Sequence, residues 1–89
     1  MEFEYNHQKS IANKKKHGID FEDAQELWKD PDRLEVPARV TTEIRYLLIA
    51  RIASGCWTAV FTYRGAVTRI ISVRKSRKEE EKAYESYGF

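Results

Sequence analysis

Between Glu43 and Glu79 the chain carries Arg45, Arg51, Arg64, Arg69, Arg74, Lys75, Arg77 and Lys78 and no acidic residue. A guanidinium stays charged at any physiological pH and can hold two phosphate oxygens at once through a planar fork. Such a row suits a phosphate backbone, or the extra negative charge that builds on phosphorus while a phosphodiester is cut. Arg64 falls at a hairpin end and Arg74 at a strand end, where a clamp on a reacting phosphate would sit. Arg45, Arg51, Arg69 and Lys75 suit backbone phosphate, stem packing or ion pairing.

Cutting a phosphodiester by a neighbouring hydroxyl without metal would also need groups that take a proton from that hydroxyl and return one to the leaving oxygen. His17 stands one residue before Gly18, at a helix C-terminus whose dipole favours a cation. His7, in a first helical turn, is the weaker histidine. Lys9 on one helix and Glu22 on the next could meet across an open sheet edge, as a cation for phosphate and a carboxylate for proton transfer. Each also has an ordinary reading, as a cap, a packing residue or a solvated helix position. Tyr84 and Tyr87 read as core-facing. The lone Cys56 reads as a hairpin-end residue, no histidine pair has the helical spacing of zinc ligands, and no glycine-rich phosphate loop occurs. Neither a metal nor another cofactor is expected.

Several elements must position these groups. Phe3 and Tyr5 alternate with Glu2 and Glu4, which predicts a short strand. Asn6 is expected to cap a polar helix through about Lys16, stopped by Gly18, with Ile11 and Ala12 as its apolar seam. Asp20 caps a second helix that places Phe21, Ala24, Leu27 and Trp28 on one stripe before Asp30-Pro31 ends it. Residues 34–37 suit a short edge strand. Three strong strand patterns follow over 45–53, 57–63 and 67–75, linked tightly around Ser54-Gly55 and Arg64-Gly65, so an antiparallel meander is expected.

Two-residue turns would put Tyr46, Leu48, Ala50, Ile52, Trp57, Ala59, Phe61, Tyr63 and Ile70 on a core face. Arg45, Arg51, Arg64 and Arg69 would then share the other with Leu47, Ile49, Thr58, Val60, Thr62, Val67, Ile71 and Val73, and Arg74 would fall with Ile70 and Ser72. Ser76 and Glu79 form a capping box for a last helix with Ala83, Tyr84 and Tyr87 on its stripe and Gly88 as its stop. Helices should cover the core face and leave the basic face partly open. The expected class is α+β, with two N-terminal helices, a three- to four-stranded antiparallel sheet and a C-terminal helix.

Charge is segregated along the chain. The basic block carries +8, whereas residues 21–43 carry −4 and residues 79–89 carry −3. An anionic partner follows, nucleic acid first among them. At 89 residues with 12% aromatic content, one modest domain over residues 1–89 is expected. No apolar run approaches the ~18 residues of a spanning helix. The acidic start Met-Glu-Phe-Glu-Tyr has no apolar signal core, so a cytoplasmic protein is expected.

The stretch from Lys16 through Ala24, Lys-His-Gly-Ile-Asp-Phe-Glu-Asp-Ala, resembles the BrnT toxins. So do Arg69-Ile-Ile-Ser-Val-Arg74 and the Glu- and Tyr-containing end helix. The resemblance spans nearly the whole chain. It implies a RelE-like fold and a metal-independent endoribonuclease that shuts down translation. It also implies a neutralising BrnA-like antitoxin with a ribbon-helix-helix domain, joined to the toxin in a hetero-oligomer that reaches operator DNA through that domain. From the residues alone, a second reading stays open: a non-enzymatic basic module that binds an acidic protein segment or nucleic acid.

Overall fold

The computed structural model describes residues 1–38 and 42–87, so the expected stop at Gly88 lies outside the described residues. The elements are β1 (Glu2–Glu4), α1 (His7–His17), a 3₁₀ helix (Asp23–Lys29), β2 (Leu34–Pro37), β3 (Tyr46–Ile52), β4 (Gly55–Arg64), β5 (Val67–Lys75) and α2 (Lys78–Tyr87). The α+β class holds. The sheet, however, has five strands in the order β1-β5-β4-β3-β2 and is mixed, because β1 runs parallel to β5. A parallel pair needs a crossover, and here residues 5–66 supply it. β1 is fixed in place by Phe3, whose ring meets Trp28 edge-on at 5.0 Å.

Asn6 caps α1, its side chain accepting from the Lys9 N–H at 3.0 Å, and Gly18 ends the helix at φ 87°, a left-handed position that glycine takes without strain. The expected apolar seam of α1 is wrong. Ile11 is 56% exposed and Ala12 also faces outward, while Ser10 and Asn13 are buried. The inner face is polar because it supplies hydrogen bonds to backbone. Ser10 Oγ accepts from the Phe21 N–H at 2.9 Å. Asn13 donates to the carbonyls of Ile19 at 2.8 Å and Val73 at 2.9 Å, and its Oδ1 accepts from the Val73 N–H at 3.2 Å. β1 reaches only to Arg69, so the Asn13 amide serves as one link of a missing neighbouring strand along β5.

Asp20 caps the next turn as expected, accepting from the Asp23 N–H at 2.8 Å. The second N-terminal helix is nonetheless 3₁₀. Phe21, Ala24 and Leu27 recur every three residues, the spacing that stacks side chains along one side of a three-per-turn helix. All three are buried against Leu48, Ala50, Ala59, Phe61 and Ile70 of the sheet.

The β3–β4 ladder keeps the expected facing, with Tyr46 opposite Phe61 and Ala50 opposite Trp57, although its turn comes one residue before the expected Ser54-Gly55. Its turn residues are Ala53 and Ser54; those of the next hairpin are Gly65 and Ala66. Gly65 has φ 62° at the first turn position, as a II′ turn requires. In the β4–β5 ladder Phe61 faces Ile70 but Val60 faces Ser72, so Ile71 is an extra residue, a β-bulge. The bulge reverses facing beyond it. Val73, expected on the basic face, is fully buried in the core, and Arg74 stands on the opposite face, across from Thr58.

α2 packs on that opposite face, correcting the expectation that helices cover only the core face. Tyr84 joins Ile49, Cys56 and Leu34 in a second, smaller cluster. Tyr87 is 75% exposed and takes no part in the stripe. The capping box is displaced by one residue: Glu80, at the third position of α2, accepts from the Arg77 N–H at 2.8 Å, while Ser76 Oγ lies 2.8 Å from Thr58 Oγ1.

Candidate functional site

The bulge and α2 together build a polar cluster around Arg74 and Glu80. Arg74 Nη1 donates to Glu80 Oε1 at 2.7 Å and Nη2 to Oε2 at 2.9 Å, a two-toothed pair between side chains only 25% and 12% exposed. Glu80 Oε1 also accepts from Thr58 Oγ1 at 3.1 Å. Below Thr58, Ser76 Oγ accepts from Cys56 Sγ at 3.3 Å, which agrees with a structural cysteine. The Arg74 fork, with help from Arg77 and Thr58 and against the cost of burial, holds the Glu80 carboxyl down at about 2. Its hydrogen bonds to Glu80 raise Arg74 above its already high value.

α2 is seated by a second polar hub. The Tyr84 hydroxyl donates to Asp30 Oδ2 at 2.6 Å, and the same oxygen accepts from the Arg51 N–H at 2.8 Å. Burial pushes the Asp30 carboxyl up, but hydrogen bonds from Tyr84, Arg51 and Asp32 and the Arg33 charge bring it below its ordinary value. Burial and Asp30 push the Tyr84 phenol up to about 12, so it stays a donor.

The other arginines lie in different settings. Arg64 and Arg69 both approach Glu4 of β1, at 3.7 and 2.7 Å. Arg64 pairs with Val67, six residues along β4 from the Thr58–Arg74 pair, so it stands roughly 20 Å from Arg74 on the same face. One phosphate cannot be shared between them. Arg51 has its guanidinium 5.4 Å from the Tyr84 ring centre. Arg45 Nε lies 3.7 Å from Glu43 Oε1 and is buried without a hydrogen-bond partner among the described residues. Lys75 points to the core-face side, donating to the Ser54 carbonyl at 2.9 Å with its ammonium 4.6 Å from the Trp57 ring.

Lys9, Lys16 and His17 line a shallow groove of about 250 Å³ between α1 and β5, floored by Asn13, Ile71 and Ser72. Ser72 is two residues from Arg74, roughly 7 Å along the strand. Glu22 belongs to a different cleft, with Phe3, Gln25 and Trp28, so the structure does not bring it together with Lys9 in one site. Sequence reasoning missed Asn13 and Glu80. The signal for Asn13 was an asparagine at helical spacing from Ser10 on a helix with almost no apolar face. For Glu80 it was a run of three glutamates, any of which could close the helix start. Among the described residues, no three His, Cys, Asp or Glu side chains converge as a metal site would need.

The chain belongs to the BrnT family, the ribonuclease toxins of type II toxin-antitoxin systems: that family's model matches residues 5–80, from the end of β1 to Glu80. Such a family implies an antitoxin partner. Comparison with curated proteins finds no match. Among the described residues no helix is long and apolar enough to cross a membrane.

Proposed function

We propose that this chain is a RelE-like, metal-independent endoribonuclease that acts in the cytoplasm, cuts RNA and so inhibits translation, and is held inactive by a BrnA-like antitoxin. The family match over residues 5–80 carries the reading. The proposed site runs across the edge of β5 beyond β1, where Asn13 holds Val73, from the groove of Lys9, Lys16 and His17 to Arg74. In the reaction a 2′-hydroxyl loses its proton and O2′ attacks the adjacent phosphorus. The P–O5′ bond breaks, and O5′ leaves as a hydroxyl once protonated. The products are a 2′,3′-cyclic phosphate, which water opens to a 3′-phosphate, and a new 5′-hydroxyl. Arg74 stabilises the charge that grows on the non-bridging oxygens, and Lys9 holds backbone phosphate. His17, half-buried at the end of α1, exchanges the protons, because a neutral imidazole carries one acceptor and one donor nitrogen.

Glu22 has a lesser part, as an alternative base reached only if the RNA extends past α1. Arg64, Arg69, Arg51 and Arg45 form an outer electrostatic frame that holds RNA, with Lys75 adding charge from the other side of the sheet end, and an acidic antitoxin helix laid on the arginine face would exclude RNA. The antitoxin's ribbon-helix-helix domain would carry the hetero-oligomer to operator DNA.

The test is RNA incubated with antitoxin-free protein in excess chelator, with and without ribosomes, followed by analysis of the ends. Cleavage with 2′,3′-cyclic or 3′-phosphate ends is expected. RNA left intact under both conditions would leave the non-enzymatic binding module as the better reading.

A further inference from the structure

We infer that Glu80 is the positioning residue for Arg74, holding one edge of its guanidinium so that the other edge is presented, already oriented, to a phosphate. This rests on the reading of Arg74 as the phosphate clamp. A guanidinium has five N–H groups in a plane and two edges that can each grip a pair of oxygens. The end edge of Arg74, formed by Nη1 and Nη2, is taken by the two carboxylate oxygens of Glu80. The remaining N–H of Nη1 is directed to the Lys75 carbonyl at 3.3 Å. The side edge, formed by Nε and the outer N–H of Nη2, has no partner among the described residues, and it is not among the buried polar groups left unsatisfied. With the side chain 25% exposed and that edge not sealed from solvent, it is the edge left for a ligand.

Glu80 is suited to holding rather than to competing. Its Oε1 also accepts from Thr58 Oγ1 and from the Arg77 N–H, so the carboxylate is fixed to β4 and to the first turn of α2. A latch that had to open for RNA would need to break all of these contacts. A holder leaves them intact and removes the rotational freedom of a long side chain before RNA arrives. Glu80 does not touch the reacting atoms; its effect passes through Arg74.

The experiment measures kcat and KM for antitoxin-free protein on RNA, and affinity for a 2′-O-methyl RNA oligonucleotide, which cannot be cut. Four forms are compared: wild type, Glu80→Gln, Arg74→Ala and the double variant. Glu80→Gln keeps an oxygen for the Thr58 and Arg77 bonds but loses the charge and one tooth of the pair. It is expected to lower kcat about tenfold or more with KM changed less than about threefold. In the Arg74→Ala background the same change is expected to have almost no effect on cleavage or binding, since the residue it acts through is gone.

Thr58→Val loosens Glu80 from the other side and should lower kcat by a smaller factor with the same dependence on Arg74, which keeps the test valid if Glu80→Gln folds poorly. A Glu80→Gln protein as active as wild type, or more active, beside an inactive Arg74→Ala would overturn the positioning role and leave Arg74 as the clamp. An equal loss in both backgrounds would assign Glu80 a structural role only. Full activity of Arg74→Ala would remove the clamp, and the positioning role with it.

Discussion

Arg74 and Arg64 stand on the same face of the same sheet, roughly 20 Å apart, and the protein treats them differently. Arg74 is flanked by a backbone that Asn13 pins at Val73, and its fork is held by Glu80, which Thr58 and α2 hold in turn. Arg64 is 54% exposed and meets Glu4 at 3.7 Å, without a hydrogen bond and in competition with Arg69. An exposed pair of that kind contributes little to stability and leaves the side chain free to move. Two arginines that are equivalent as charges therefore differ in orientation, and orientation is what a reacting phosphate requires. In the proposed reading the loose end attracts RNA and the held end acts on it.

The largest effect on the held end should come from Asn13. Replacing it by alanine strips partners from the Val73 N–H and from the carbonyls of Val73 and Ile19, and should cost about 2–4 kcal/mol in urea unfolding. A cost below about 1 kcal/mol would mean that Arg74 is not held from the backbone side. Acid titration probes the side-chain lock. Glu80 sits at about 2 when folded against an ordinary 4.5, so its stabilisation is fully present above about pH 4.5 and is lost as pH falls towards 2. The loss should be on the order of 3 kcal/mol, and Glu80→Gln should flatten that part of the curve.

Tyr84→Phe removes the hydroxyl that seats α2 on Asp30 and should cost about 1.5–2 kcal/mol, read as a lower urea midpoint with an unchanged slope. The smallest effect belongs to the loose end. Arg64→Ala should change stability by less than about 0.5 kcal/mol while reducing by about one the slope of RNA affinity against salt. A larger stability loss there would erase the contrast between the two ends.

How far these features could be read from the sequence follows from where their causes lie. The facing of β3 and β4 was legible because alternation and a tight turn fix it locally, and it placed Tyr46, Ala50 and Trp57 on the core side. The Gly18 stop, the Asp20 cap and the stripe from Phe21 to Trp28 were legible for the same reason. The bulge at Ile71 has no local signature, since Ile70, Ile71 and Val73 are all good strand residues, yet it decides that Val73 is core and Arg74 is not. The buried face of α1 was illegible to apolar periodicity because Ser10 and Asn13 are there to satisfy backbone groups of distant segments. The basic block was visible at once as charge. Its division into a held Arg74 and a loose Arg64 depends on glutamates at positions 80 and 4, which only the fold brings to it.

The contrast is tested most directly by turnover at saturating RNA for Arg74→Ala and Arg64→Ala, measured side by side with folding checked by thermal unfolding. Arg74→Ala should lose on the order of 10²–10³ in kcat, as removal of a fixed charge-stabilising donor does, and Arg64→Ala less than about tenfold. Equal losses, or a larger loss at Arg64, would contradict the assignment of the held end as the place where RNA is cut.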